Sequence, residues 1–194
     1  MKTKYDFDTI INPDNVLFFD MDGTLINTDY ANFLSYKKAI HLVTNNGLEL
    51  SYNPKVRFNR SFLKIALLGL QQSDYEEITR KKEEYYIEFL SEIKLNEVIA
   101  EVLFKYLKTN KTVLVSNCRK DRAIITLNHF GLTDKFSNIF FREFEDNDKK
   151  INKFQNAIFK LGVPPNLIIA FENEESEIVD AKKVGISIIN PIYY

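Results

Sequence analysis

Four short apolar runs, each ending in polar residues, constrain the fold of this chain more than any other feature. Val16 to Phe19 ends at Asp20, Thr112 to Val115 ends at Ser116-Asn117, and Ile139 to Phe141 and Leu167 to Phe171 complete the set. Between the second and third runs, Ile124, Ile125, Leu127 and Phe130 recur at helical spacing and Gly131 offers a stop. Between the third and fourth, Ile151, Phe154, Ala157, Ile158 and Leu161 make a second helical stripe, closed by Gly162 and then Pro164-Pro165. Strand alternating with helix is the pattern of a parallel sheet, so the expected fold is α/β, a Rossmann-like parallel sheet flanked by helices.

The interval from about Asn27 to Asn110 breaks the pattern. It is too long for one crossover and carries no convincing strand signal; the segments around Tyr30 to Val43, Ser61 to Leu70 and Asp74 to Ile93 read as helices. The charged run Arg80-Lys81-Lys82-Glu83-Glu84 is expected to be a solvated face, and Glu97 to Leu107 reads as the helix that returns to the sheet. The expected organisation is therefore a core of residues 1–27 plus 93–194, with residues 28–92 as an inserted α-helical cap.

That organisation points to function, because open α/β sheets bind ligands outside the carboxyl ends of their strands. Asp20, Asp22, Ser116, Asn117, Glu172 and Asn173 all fall at such ends. Asp20 and Asp22 are two residues apart, so on extended backbone their carboxylates share a side. Crowded carboxylates repel, and a shared proton or a divalent cation relieves them. Mg²⁺ suits such a place, taking one or two carboxylates plus water and phosphate oxygens.

The stretch FFDMDGTLINT resembles the first motif of the haloacid dehalogenase-like phosphohydrolase superfamily, an apolar strand followed by DxDGT. The resemblance implies that Asp20 is the nucleophile, forming an aspartyl phosphate, and that Asp22 protonates the leaving oxygen and then activates water. It implies Ser116, in TVLVSN, as the residue that hydrogen-bonds a phosphoryl oxygen, with Gly23, Thr24 and Asn117 among the phosphate contacts. The family's lysine falls in DKKINKF, which offers Lys149, Lys150 and Lys153; counting back from Leu161-Gly162 favours Lys150, with Lys149 next.

The family's last motif completes a Mg²⁺ shell with acidic residues. LIIAFENEESEIVDAKKVGI is similar to it, but Asn173 stands where Asp is expected. Asn offers a carbonyl oxygen without charge, so metal affinity should fall unless Glu172 or Glu177 compensates. The implied metal ligands are Asp20, Asp22, Glu172, Asn173 and Glu177.

The insertion sits where the helical cap lies in the subgroup of phosphoglycolate phosphatases and β-phosphoglucomutase. Arg57 and Arg60 within it are candidate phosphate contacts, although arginines in such places more often face solvent. The expected activity is a Mg²⁺-dependent phosphatase for a small phosphorylated metabolite. A phosphomutase would keep the same motifs, and Asn173 motivates a further alternative, a binding or regulatory protein without turnover. Dehalogenases of the family generally lack the second Asp, and its transport ATPases carry Thr there in much longer chains.

Composition limits the partners. Of 194 residues, 26 are Lys or Arg and 27 are Asp or Glu, a formal net charge of -1 that argues against coating nucleic acid or an anionic membrane. No apolar run approaches the roughly 18 residues of a membrane span. The lone Cys118 cannot form an internal disulfide and MKTKYDFDTIINPDN is too polar for a secretory signal, so a cytoplasmic protein, monomeric or a weak homodimer, is expected.

Overall fold

The computed structural model describes residues 6–45, 49–143 and 151–189. The chain divides into two units, Met1–Ile26 with Leu95–Tyr194, and Asn27–Lys94. In chain order the elements are α1 (Phe7–Ile10), β1 (Val16–Phe19), β2 (Ile26–Asn27), α2 (Asp29–Val43), α3 (Arg60–Ala66), α4 (Gln72–Tyr85), a 3-10 stretch over Tyr86–Glu92, and β3 (Lys94–Leu95). There follow α5 (Glu97–Tyr106), β4 (Lys111–Val115), α6 (Lys120–His129), β5 (Asn138–Phe140), α7 (Lys153–Leu161), β6 (Ile168–Phe171), α8 (Glu175–Lys183) and β7 (Ser187–Ile189).

The first unit is built on a five-stranded sheet in the order β5-β4-β1-β6-β7, and its pairings are parallel. β1 is central, with Phe19 opposite Leu114 on one side and Phe171 on the other. Every residue of β1 and β6 is buried, which is why neither run alternates with polar residues: both faces are covered. The two-residue period still sorts them. Val16, Phe18, Val113, Val115, Ile168 and Ala170 pack on one face with Phe154 and Ala157 of α7 and Ala181 of α8. On the other, Phe19 stacks on Phe171 with ring centroids 4.8 Å apart and meets Phe136 edge-on.

Helix α7 ends at Gly162 in the left-handed region (φ 63°), where its N–H reaches Ile158 O, as the Leu161-Gly162 signal predicts. Three strands were not anticipated. β7 is a three-residue edge strand directly after α8, and β2 and β3 are only two residues long, too brief for any of the three to carry a period. The predicted Asp74 to Ile93 helix is α from Gln72 to Tyr85 and then 3-10, with Phe89 at non-helical angles (φ -110°, ψ 19°).

The second unit packs Phe33, Tyr36, Ala39 and Ile40 of α2 with Phe58, Leu63, Leu67 and Ile78. The expected solvated face of α4 holds for Arg80, which pairs with Glu77 and Glu84, but not for Lys82. Lys82 lies four residues after buried Ile78, on the same helical face, and is 2% exposed with its ammonium 5.2 Å from the Tyr86 ring. No helix among the described residues is long and apolar enough to cross a membrane.

Candidate active site

Parallel pairing brings the carboxyl ends of β1, β4 and β6 side by side, so the residues that follow them become neighbours. The backbone ladder continues one step past each strand: Asp20 N donates to Phe171 O at 3.0 Å, Ser116 N to Phe140 O at 3.0 Å, and Glu172 N to Ile189 O at 3.2 Å. Asp20, Asp22, Ser116 and Glu172 are all buried.

Lys153 links two of these strand ends. Its Nζ donates to Asp20 Oδ1 at 2.7 Å and to Glu172 Oε2 at 2.6 Å. It is the first residue of α7, whose N-cap Asn152 accepts from Phe154 N at 2.9 Å and Gln155 N at 3.1 Å, fixing where the helix starts. The other Glu172 oxygen, Oε1, accepts from the N–H groups of Asn173 and Glu174, each at 2.9 Å.

Burial pushes the Asp20 carboxyl up to about 7; Lys153 opposes this, while the neighbouring charges of Glu172 and Asp22 add to it. Burial alone would lower the Lys153 ammonium, but Asp20 and Glu172 outweigh it and its pKa is raised, so it stays charged. One ammonium thus serves two carboxylates in a setting where three carboxylates crowd together.

Asp22 has a different cation. Arg122 Nη2 donates to Asp22 Oδ2 at 2.8 Å, and its Nε donates to Cys118 Sγ at 2.9 Å. Cys118 N in turn donates to Ser116 Oγ at 3.2 Å, leaving the Ser116 hydroxyl hydrogen to be given elsewhere. Asn117 lies beside Ser116; its Oδ1 is buried with no hydrogen-bond partner among the described residues, a state that costs roughly 1–3 kcal/mol unless a ligand supplies a donor.

The glycine turn after β1 carries Asn173. Gly23 adopts φ 89°, and its N–H reaches Ile26 O at 2.8 Å. The Asn173 amide lies directly against it, with Thr24 Oγ1 donating to Asn173 Oδ1 at 2.9 Å. Glu177 is buried in the first turn of α8. Lys149 and Lys150 lie outside the described residues. In the second unit, Arg57 Nε lies 3.5 Å from Asp29 Oδ1, and Arg60 is an exposed residue opening α3.

The donors fit a hard, oxygen-seeking cation held by few protein ligands. Among the described residues no group of three His, Cys, Asp or Glu forms a closed metal cage. Asp20 and the Asn173 carbonyl oxygen are suitable donors, and the carboxylate crowding around Asp20 is what such an ion relieves. Glu172 anchors Lys153 through Oε2.

Two of these groups were weakly signalled in the sequence. Lys153 was one of three lysines in a short stretch, and only the helix start separates them. Arg122 is one hundred residues from Asp22; its one local cue is the four-residue spacing from Cys118 at the mouth of α6.

A family model described as haloacid dehalogenase-like hydrolase matches residues 17–190 of the chain. No curated protein matches it. Among solved structures it is similar to a haloacid dehalogenase-like family hydrolase from Streptococcus pneumoniae (TM-score 0.72, 16% identity, covering 92% of this chain and 84% of that one). It is also similar to a predicted phosphoglycolate phosphatase from Haemophilus somnus (TM-score 0.73, 20% identity, 92% and 85% covered). A β-phosphoglucomutase from Clostridium difficile gives a TM-score of 0.65 at 20% identity, with 90% and 82% covered. At these identities the likeness to solved structures establishes the fold.

Proposed function

Because the chain belongs to the haloacid dehalogenase-like hydrolase family, we propose that it is a Mg²⁺-dependent phosphatase acting on a small phosphorylated metabolite through an aspartyl phosphate on Asp20. The observation that carries this reading is the buried Lys153 ammonium bridging Asp20 and Glu172 at 2.7 and 2.6 Å. A buried lysine on a carboxylate at a strand end neutralises the nucleophile and the incoming phosphoryl group together.

In the first step an Asp20 carboxylate oxygen bonds to phosphorus, the bond from phosphorus to the leaving oxygen breaks, and Asp22 gives that oxygen a proton. In the second, Asp22 takes a proton from water as the water attacks phosphorus, releasing inorganic phosphate and restoring Asp20. Ser116 donates its hydroxyl hydrogen to a phosphoryl oxygen, and Asn117, Gly23 and Thr24 are the further phosphate contacts of this reading. Mg²⁺ would be held by Asp20 and Asn173 and would supply positive charge that offsets the negative charge of the nucleophile and the phosphoryl group. Residues 27–94 are the part of the chain assigned to substrate selection.

Phosphate release from a panel of phosphorylated metabolites, with and without Mg²⁺ and repeated on Asp20→Asn, tests the reading. Release that needs both Mg²⁺ and Asp20 supports it; no such release from any member of the panel overturns it. Asn173 favours one second reading, a phosphate-binding protein without turnover, for which inorganic phosphate would bind in calorimetry while the panel stays intact.

A further inference from the structure

We infer that Arg122 is a positioning residue for proton transfer, holding the Asp22 carboxylate in the orientation in which it serves the leaving oxygen; the inference rests on the phosphatase reading and on the role of Asp22 in it. The guanidinium donates through Nη2 to Asp22 Oδ2 at 2.8 Å, and both side chains are largely buried (14% and 9% exposed). A charge-assisted contact in such surroundings is directional and stronger than its exposed counterpart.

Arg122 is itself held from several sides. Nε donates to Cys118 Sγ at 2.9 Å, and Cys118 is buried. The Cys118 carbonyl accepts from Arg142 N at 3.3 Å, and Arg142 Nε donates to Asn117 O at 2.6 Å, so the loop between β4 and α6 is pinned on the side of β5 as well. The same loop carries Ser116, whose Oγ accepts from Cys118 N. One short segment therefore sets the place of the phosphoryl-binding hydroxyl and, through Arg122, the aim of Asp22.

The chemistry follows from charge. As Asp22 passes its proton to the leaving oxygen, a carboxylate is left, and a guanidinium already at hydrogen-bond distance meets that charge without reorganising. The need is greatest when the leaving group is a poor one. An alkoxide must be protonated as its bond to phosphorus breaks, whereas p-nitrophenolate leaves unassisted.

The leaving group therefore reads the role. Wild type, Arg122→Met, Arg122→Lys and Asp22→Asn are assayed on an alkyl phosphate from the active panel and on p-nitrophenyl phosphate, with circular dichroism to establish folding. Arg122→Met is expected to lose at least about tenfold more kcat/KM, which reports the leaving-group step and not the shared hydrolysis of the aspartyl phosphate, on the alkyl ester than on p-nitrophenyl phosphate, the same bias as Asp22→Asn, with Arg122→Lys regaining part of it. Equal losses on the two esters, or no loss, overturn the inference while the phosphatase reading stands. A wild type that hydrolyses neither ester overturns both. If Arg122→Met does not fold, Arg122→Lys decides alone: a bias toward the aryl ester supports positioning, and its absence refutes it.

Discussion

The Cα of Gly23 and the amide of Asn173 are so close that a β-carbon on residue 23 would come within 2.6 Å of Asn173 Nδ2. The turn after the nucleophile and the loop after β6 are thus fitted to each other through a missing side chain. With Thr24 holding Oδ1, the carbonyl offered to a cation is fixed from two directions.

Gly23→Ala should accordingly disturb both stability and the metal site. The new methyl meets Asn173, and φ 89° is strained for any residue with a β-carbon. A loss of roughly 1–3 kcal/mol in urea denaturation is expected, with a raised Mg²⁺ requirement. Unchanged stability would mean that the Asn173 side chain moves aside freely.

Asn173→Asp restores a negative charge to a donor that Thr24 already orients. Mg²⁺ binding measured by calorimetry should tighten several-fold, and the Mg²⁺ concentration for half-maximal phosphate release should fall with it. If neither changes, the ion does not use residue 173.

The nucleophile must be ionised to attack, and burial pushes Asp20 up to about 7. Its carboxylate fraction, and with it kcat/KM, should fall as pH drops below about 7 at low Mg²⁺. A cation on Asp20 favours the carboxylate, so raising Mg²⁺ should move this acid limb to lower pH. A limb that ignores Mg²⁺ would place the ion elsewhere.

Lys153→Met removes the ammonium paired with Asp20 and Glu172 and leaves these two buried carboxylates to face each other. A loss of kcat of at least about a hundredfold is expected. Stability should fall as well, by about 3–5 kcal/mol at pH 8. Asp20 already titrates above its unfolded value and loses the cation that opposes this shift, so stability is kept at low pH and lost as pH rises. Denaturation at pH 5 should therefore show a smaller deficit than at pH 8; an equal deficit would point to lost packing.

The strands of the core were legible because β1 and β6 are apolar throughout and β4 is apolar from Val113 to Val115, and that is what burial on both faces demands. DxDGT after such a run marked Asp20 and Asp22 as candidates through its resemblance to the family's first motif, and both are buried at the end of β1. The lysine was harder: Lys149, Lys150 and Lys153 are chemically alike, and the Asn152 cap that starts α7 is what gives Lys153 its reach. Arg122 left almost no trace, since its contact with Asp22 joins the mouth of α6 to the turn after β1 and depends on how parallel strands bring distant segments together. Lys82 was misread because charge was weighed above helical position, though its spacing from Ile78 was there to be seen.

Asp20 hangs from the middle strand of five, with its own amide tied to β6 and its predecessor flanked on both sides. Backbone in that position exchanges its amide hydrogens slowly, because opening it means breaking two ladders at once. The residue proposed to carry a labile phosphoryl group is therefore tethered to a strand held on both sides, and the lifetime of that intermediate is left to proton transfer and water access.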